Sequence, residues 1–327
     1  MGLPNPHVSV IIPTYNRAGF VADAINSCLE QGLSSAELEI IVVDDGSTDD
    51  TTAILRDFPG KICYLPLSEN QGRNKARNTG LAHASGNYVK FLDSDDVLEP
   101  GALRMELAKA QEAGADIVVS GWQAVEIFAD RSERLTARFH PPFMEPIIDS
   151  LLAGRAVPTS AALYSRALIG EMRWDEALRK LDDWDWFIRV ALRAKRIVRL
   201  DIVSYSWREH PGQGIRSETM LRNALEHHVI LGKLEEALAE SGMLTQARRQ
   251  RLAQYFYKEM RVLCLRDAAA FYRGVRHIYE LDPQFVPLDE ERQWWMRALC
   301  RAIGVRRALS LHSRIKMLVK GILGRPA

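Results

Sequence analysis

Residues 8–17 read VSVIIPTYNR, a short run of β-branched apolar residues that Pro13 ends before a polar segment begins. After this run, apolar residues recur at helical spacing, at Val21, Ala24, Ile25, Cys28 and Leu29. A buried strand that leads into an amphipathic helix is the building unit of α/β folds. This segment therefore predicts an α/β sheet, with a strand over residues 8–12 and a helix after it.

The alternation of strand and helix patterns continues through the first half of the chain. Further strands are predicted at residues 40–43, 62–65, 88–92 and 117–120, and helices at residues 73–83 and 100–113. A helix over residues 183–194 and a strand over residues 197–207 follow a less regular stretch, residues 123–158. Because strand–helix–strand connections are right-handed crossovers, the pattern predicts a Rossmann-like, mainly parallel sheet flanked by helices.

The pattern beyond Gly214 is helical. Segments with helical spacing cover residues 220–241, 246–267 and 290–302. We therefore expect two domains, a catalytic domain over residues 1–215 and a helical C-terminal region over residues 216–327.

The C-terminal segment is basic, with nine Lys and Arg residues and no Asp or Glu from Arg292 onward. One apolar stripe at helical spacing is formed by Leu311, Ile315, Leu318 and Ile322. A basic amphipathic helix of this kind binds an anionic membrane surface without spanning the membrane. The alternative is that the stripe packs against the protein and the basic face is solvated; the sequence leaves both open.

The composition is that of a globular protein, with 327 residues, 47% hydrophobic and 26% charged, and a formal net charge of +1. This charge balance argues against nucleic acid as a partner. The four cysteines form no C-x-x-C pair, which argues against a zinc site or a disulfide framework. Neither a signal-peptide pattern nor an apolar run of about 18 residues is found. We therefore expect a cytoplasmic location, with peripheral attachment to the inner face of the cell membrane left open.

Acidic residues stand where two of the predicted strands end. Residues 91–96 read FLDSDD, and residues 42–47 read VVDDGS. Asp93 and Asp95 are typical ligands of one hard divalent cation, although aspartates are also common in solvated turns. Asp44 is a candidate acceptor for a ring N–H of a pyrimidine base. Because ligands of such sheets bind at the carboxyl ends of the strands, these residues predict one shared site.

Two further segments carry candidate functional residues. Gly72 suits a tight start to a helix whose N–H groups face phosphate, and Arg77 adds positive charge there. Residues 182–185 read DDWD and open a predicted helix, where acids stabilise the N-terminus or where one acts as a general base. His210 follows a predicted strand and is by itself a weak metal candidate.

In this order and spacing, the motifs resemble those of the family 2 glycosyltransferases, which have the GT-A fold. The resemblance covers Val8 to about Arg216 and rests on VSVIIPTYNR, VVDDGSTD, NQGRNKARN at residues 70–78, and FLDSDD. It implies that the nucleotide-sugar is bound by Pro13, Thr14 and Tyr15 at the nucleoside, Asp44 at the base, Gly72 and Arg77 near the diphosphate, and Asp93 at the ribose or the metal. It further implies Asp183 as the catalytic base, and Asp95 and His210 as ligands of Mn²⁺ or Mg²⁺. Asp182-Asp183 stands where the family usually has Glu-Asp.

The resemblance implies an inverting, metal-dependent glycosyltransferase. It would move a sugar from a nucleotide-diphosphate sugar, with a UDP-sugar favoured, to a hydroxyl of a glycan or lipid-linked acceptor in bacterial surface polysaccharide synthesis. Two alternatives stay open, a catalytically silent assembly subunit that binds nucleotide-sugar and a sugar nucleotidyltransferase. The second would need a glycine-rich basic loop where residues 13–16 read PTYN. No G-x-G-x-x-G follows a predicted strand, which excludes a dinucleotide dehydrogenase.

Overall fold

The computed structural model describes residues 7–141, 147–153, 155, 157–210, 220–260, 268–285 and 307. The chain forms two compact units. A sheet unit comprises Met1–Ile148 and Ala156–Arg216, and a helical unit comprises Asp149–Arg155 and Ser217–Ala327.

The sheet unit is built on one nine-stranded sheet. Its strands are β1 (Val8–Thr14), β2 (Leu38–Asp44), β3 (Cys63–Pro66), β4 (Tyr88–Phe91), β5 (Val97–Leu98), β6 (Ile117–Ile127), β7 (Glu133–Phe139), β8 (Ala162–Ser165) and β9 (Ile197–Glu209). They lie in the order β3-β2-β1-β4-β8-β6-β9-β5, and β7 pairs with β6.

The α/β class predicted from the sequence is confirmed, but the sheet is mixed rather than mainly parallel. β1 to β4 are parallel to one another, as the strand–helix alternation predicts, and β6 is parallel to β9. β8 enters antiparallel between β4 and β6, and β7 and β5 pair antiparallel at the far side. Residues 123–158, expected to be less regular, include the end of β6 and the whole of β7. The sequence missed this hairpin because β7 is almost wholly exposed and carries no buried apolar face.

Helices accompany these strands, and those that begin at Val21, Arg73, Ala102 and Asp182 lie where the sequence predicts helices. They are α1 (Val21–Leu29), α2 (Thr51–Leu55), α3 (Arg73–His83), α4 (Ala102–Ala113), α5 (Ile147–Leu152, which spans the boundary between the units), α6 (Arg166–Ile169) and α7 (Asp182–Arg193). All seven residues of β1 are buried. α1 turns Val21, Ala24, Ile25 and Cys28 into the core, with each side chain fully enclosed. Burying a side chain of this size stabilises the fold by about 1.5–3 kcal/mol, so the amphipathic pattern decides where the helix lies.

The helical unit contains α8 (Met220–Glu240), α9 (Gln246–Met260) and α10 (Ala268–Leu281). Its core includes the fully buried side chains of Leu231, Leu234, Leu238, Leu252 and Ala253. The helix predicted at residues 290–302 and the apolar stripe at residues 311–322 lie outside the described residues, so both stay predictions. Within the ranges that the structure describes, no helix is both long enough and apolar enough to cross a membrane.

The register of the parallel strands brings three polar segments to one edge of the sheet. Thr14 pairs with Asp44 at the ends of β1 and β2, and Ile11 pairs with Phe91 at the end of β4. The loops that leave these strands therefore start side by side. They carry residues 14–17, 44–48 and 93–96, the segments singled out in the sequence.

Candidate active site

A cleft of about 590 Å³ lies at this edge of the sheet. Loops after β1, β2 and β4, the start of α3, and the end of β9 form its walls. Its lining includes Pro13, Thr14, Tyr15, Arg17, Asp45, Gly72, Arg73, Asp93, Asp95, Arg179, Trp207 and Glu209. The structure thus brings together six of the sequence-predicted residues along one cleft, and Arg77, Asp183 and His210 are reached through contacts with them.

The end of β1 supplies a polar group that is ready for a ligand. Thr14 is 2% exposed, and its Oγ1 has no hydrogen-bond partner among the described residues. Tyr15 beside it is 39% exposed. A buried hydroxyl without a partner is costly, which fits a site whose partner is a bound molecule. The buried hydroxyl of Thr14 and the exposed side chain of Tyr15 suit the predicted nucleoside pocket.

Asp44 is placed differently from the prediction that it meets the base. Its Oδ1 accepts the N–H of Ser47 at 2.9 Å, and its Oδ2 accepts the hydroxyls of Thr52 at 2.9 Å and Tyr64 at 3.3 Å. These bonds hold the loop after β2 and turn the carboxylate away from the cleft lining. Asp45, the next residue along the chain, lines the cleft instead. Strand alternation explains the exchange, since neighbouring residues face opposite ways.

Asp45 and Gly72 shape the start of α3. The two oxygens of Asp45 accept the N–H groups of Gln71 and Gly72, each at 2.8 Å. Gly72 has φ +98°, and a Cβ on it would lie 2.6 Å from Nη1 of Arg179. Only glycine adopts this backbone and leaves that guanidinium its place. The tight helix start predicted at Gly72 is present.

Arg77 is the centre of an acidic cluster. Its Nη2 donates to Oδ1 of Asp93 at 2.8 Å, and its Nη1 donates to Oδ2 of Asp182 at 2.7 Å. Nη1 also lies 3.3 Å from Oδ1 of Asp183. The guanidinium is stacked 4.3 Å above the ring of Trp174. Burial disfavours its charge, but the three carboxylates outweigh burial and raise the pKa of Arg77 above its ordinary value.

Asp182 and Asp183 differ although they are neighbours. Asp182 is fully buried, and it accepts hydrogen bonds from both Arg73 and Arg77. Burial opposes its ionisation, but these two cations win and lower the pKa of Asp182. Asp183 has an enclosed Oδ1, while its side chain as a whole is 36% exposed. Burial raises the pKa of Asp183, Arg77 opposes the rise, and Asp182 and Asp93 add to it. A partly accessible carboxyl with a raised pKa is typical of a general base.

Asp95 and His210 lie together at the other side of the cleft. His210 Nε2 is 3.2 Å from Asp95 Oδ2, and the ring is stacked on Phe20 with centroids 4.2 Å apart. Arg17 Nε donates to the same Oδ2 at 3.1 Å. Burial opposes ionisation of Asp95, but His210 and Arg17 lower its pKa below the ordinary value. The carboxylate is therefore ionised and accessible to a cation.

These two side chains fit a divalent cation that is shared with a ligand. An imidazole nitrogen and a carboxylate oxygen are ligand types that Mn²⁺ accepts. No group of three or more metal-binding side chains occurs within the described ranges, so the other ligands would be phosphate oxygens or water. Asp96, the third acid of the FLDSDD segment, accepts the N–H of Arg208 at 2.9 Å, and burial raises its pKa well above the ordinary value.

Three contributors were not assigned from the sequence. Arg17 lies at the end of the VSVIIPTYNR segment, and only its ion pair with Asp95 reveals its place. Trp174 supports Arg77 from below and is itself stacked on Trp186, with ring centroids 4.5 Å apart. Trp207 lines the cleft from β9. No sequence pattern separates these tryptophans from ordinary core residues.

The fold and this site define an α/β protein with a polar cleft at the carboxyl ends of its parallel strands, and comparison with known proteins gives the family. Residues 9–172, half of the chain, match the family described as Glycosyl transferase family 2, to which the chain therefore belongs. The succinoglycan biosynthesis protein ExoO of Rhizobium meliloti is 31% identical over 189 residues, 55% of this chain and 54% of that protein. The GalNAc(5)-diNAcBac-PP-undecaprenol β-1,3-glucosyltransferase of Campylobacter jejuni is 32% identical over 213 residues, 61% of this chain and 67% of that enzyme.

A solved structure confirms the GT-A type of fold. The crystal structure of residues 1–349 of S. aureus TarS in complex with UDP-GlcNAc superposes with a TM-score of 0.70 at 21% identity, covering 94% of this chain and 92% of that one. At this identity the likeness speaks for the fold alone. The chain spans little more than half the length of several curated relatives. For ExoO the matched part is 54% of that protein.

Proposed function

We propose that this chain transfers a sugar from a nucleotide-diphosphate sugar to an acceptor hydroxyl, with inversion and with help from a divalent cation. The observation that carries the proposal is the pairing of two acidic centres at one cleft. Asp183 stands beside Arg77 at one side, and Asp95 with His210 stands at the other. One centre suits proton removal, and the other suits a diphosphate with its cation.

Asp183 is the proposed base. It would accept the proton of the acceptor hydroxyl while the acceptor oxygen bonds to the anomeric carbon. The bond between that carbon and the diphosphate oxygen breaks in the same displacement, so the nucleotide leaves and the anomeric configuration inverts. The contact with Arg77 and the 3.4 Å approach of the Thr159 N–H hold the carboxylate in place.

Asp95 and His210 are the residues that would hold the cation. A bound Mn²⁺ or Mg²⁺ would neutralise charge that develops on the departing diphosphate. Arg17, which pairs with Asp95, and Arg73, at the start of α3, add positive charge to the lining of the cleft. Nη1 and Nη2 of Arg77 contact carboxylates, so its proposed role is to hold Asp93 and Asp183 rather than to bind phosphate directly.

A UDP-sugar is the proposed donor, and a glycan or lipid-linked molecule the proposed acceptor. The TarS structure contains UDP-GlcNAc, and the Campylobacter jejuni relative is named for an undecaprenol-linked acceptor. The unpaired Thr14 hydroxyl and exposed Tyr15 are the chain's own groups for the nucleoside. We place the activity in polysaccharide synthesis, as the name of ExoO says of that protein.

Nucleotide release tests the proposal. The purified chain is incubated with Mn²⁺ and a panel of UDP-, dTDP- and GDP-sugars, and free nucleotide is measured with and without acceptor extracts. We expect release from a UDP-sugar, none from Asp183→Asn, and unchanged release from Asp201→Asn. Asp201 is a matched control because it is an exposed aspartate that pairs with Arg199 on β9. Binding of UDP without release from any donor would favour the silent subunit instead.

A further inference from the structure

Three aromatic side chains share one face of the sheet beside the cleft. Trp122 on β6 pairs with Phe139 on β7, and their rings are stacked with centroids 5.1 Å apart. Ala124, two residues after Trp122, pairs with Trp207 on β9. Paired residues and residues two apart along a strand lie on the same face. Trp122, Phe139 and Trp207 therefore form one surface, which we call the aromatic face.

The aromatic face is open. Phe139 is 39% exposed and Trp207 is 38% exposed, which is unusual for side chains of this size. Between the stacked pair and Trp207 lie Ala124 and Ala137, which pair with each other, and Tyr205, which pairs with Trp122 and is 3% exposed. The exposed rings of Phe139 and Trp207 therefore lie on either side of a largely buried strip of the same face. Exposed aromatic surface of this kind marks a binding site more often than an ordinary solvent face.

The aromatic face is continuous with the cleft and carries carboxylates. Trp207 and Glu209 both line the cleft. Glu209 pairs across the strands with Glu126, which extends the same face and forms an ion pair with Arg134. The surface thus offers apolar rings beside acceptor oxygens, starting from the place where the sugar would be transferred.

We propose that the aromatic face binds the acceptor as a glycan, with successive sugar rings laid against Trp207 and against the Trp122–Phe139 pair. This inference rests on the proposed transferase function. A pyranose ring has an apolar C–H face and a rim of hydroxyls, so it matches flat aromatic walls edged by carboxylates. The acceptor is then recognised over more than one sugar unit, and the terminal unit lies toward the cleft.

Fluorine NMR on the full chain tests this assignment. All seven tryptophans are replaced by fluorotryptophan, and single Trp→Phe variants assign the resonances. The probes are cellotetraose, chitotetraose and maltotetraose, each added in the presence of UDP. We expect at least one oligosaccharide to shift the resonances of Trp122 and Trp207 and to leave those of the buried Trp174 and Trp186 unchanged.

Two variants distinguish an effect of the aromatic face from a general effect of substitution on β7. Phe139→Ala should weaken binding of that oligosaccharide about tenfold, because it removes half of the stacked pair. Leu135→Ala should leave it unchanged, since Leu135 is 48% exposed on the same strand but pairs with Val125 on the opposite face. Equal affinity in wild type and Phe139→Ala, or no shift with any of the three probes, would overturn the proposal.

The remaining outcomes are also decisive. If Phe139→Ala converts a dimer of the chain to a monomer in sedimentation, a second copy covers the face and the glycan proposal fails. Calorimetry with UDP keeps the two proposals apart. UDP binding and donor turnover without an oligosaccharide shift reject the aromatic face alone, whereas absence of nucleotide release from every donor of the panel rejects the transferase function.

Discussion

Arg77 donates from Nη1 to Oδ2 of Asp182 at 2.7 Å, and neither side chain is more than 1% exposed. This bond gives two adjacent aspartates different roles. Asp182 is occupied by Arg77 and Arg73, so it fixes the guanidinium that stands beside Asp93 and Asp183. Asp183, one residue further along α7, keeps its accessible oxygen for chemistry.

Removal of the Asp182 charge should damage the fold. In Asp182→Asn, two buried or half-buried arginines lose their shared carboxylate, and breaking a buried pair in this way costs about 3–5 kcal/mol. We expect denaturant unfolding, followed by tryptophan fluorescence, to shift to lower denaturant concentration. Asp201→Asn, with its exposed pair to Arg199, is the control and should unfold like wild type. An Asp182→Asn variant of full stability that lacks transfer would move the base to Asp182.

Asp183→Asn should have the reverse profile, with transfer lost and stability kept or increased at neutral pH. Burial raises the pKa of Asp183 from the ordinary 3.8, so the folded state binds its proton more tightly than the unfolded state. Between the unfolded and the folded pKa, stability therefore falls as pH rises, and ionised Asp183 is a cost at neutral pH. The stability gain of Asp183→Asn should shrink as pH drops toward 3.8. A variant that is less stable than wild type at every pH would contradict this.

The same raised pKa predicts the pH dependence of turnover. The base works only when ionised, so the rate of nucleotide release in the presence of acceptor should rise with pH through a pKa raised above the ordinary value of 3.8. Arg77 opposes the rise of that pKa. Arg77→Lys keeps the charge but loses the planar guanidinium contacts to the neighbouring carboxylates. It should therefore move the midpoint of the pH–rate profile to higher pH. A rate that does not change with pH over the acid range would show that Asp183 does not accept a proton in the rate-limiting step.

The positions of β1 to β4 and of the helices α1, α3, α4 and α7 follow from the sequence because they depend on local patterns. β1 and α1 lie where apolar spacing predicts them, and the start of α3 at Arg73 agrees with the glycine before it. The orientation of Asp44 was not predicted. Which of two adjacent aspartates faces the cleft depends on the pleat of β2 and on Thr52 and Tyr64, and these are contacts that a one-dimensional pattern does not contain.

The antiparallel half of the sheet could not be predicted for a related reason. β8 is only four residues long, and its place between β4 and β6 is decided by pairing partners that are distant in the chain. The Trp174 support beneath Arg77 is likewise non-local. Residues whose role depends on long-range packing carry no periodic signal, so the aromatic parts of the site emerge only in three dimensions.

The dependence of turnover on a divalent cation should differ between variants of Asp95 and of His210. Asp95→Asn removes the carboxylate that His210 and Arg17 share, and we expect loss of both turnover and the tightening of UDP binding by Mn²⁺. His210→Ala should weaken the Mn²⁺ effect while UDP alone still binds. EDTA-treated wild type should lose turnover, and added Mn²⁺ should restore it. Full activity after EDTA treatment would show that Arg17 and its neighbours suffice without a cation.

Gly72→Ala should cost affinity for the donor, and Gly60→Ala is its matched control. Both glycines have positive φ, +98° at Gly72 and +69° at Gly60, so alanine is strained at each position by on the order of 1–3 kcal/mol. At Gly60 a Cβ meets nothing within 4 Å, whereas at Gly72 it meets Nη1 of Arg179 at 2.6 Å in the cleft wall. Gly60→Ala should therefore lower stability slightly and leave UDP binding unchanged. Gly72→Ala should displace the arginine and the start of α3, and raise the Kd for UDP about tenfold in calorimetry. Equal effects of the two substitutions on the Kd would mean that the cleft wall at Gly72 does not touch the nucleotide.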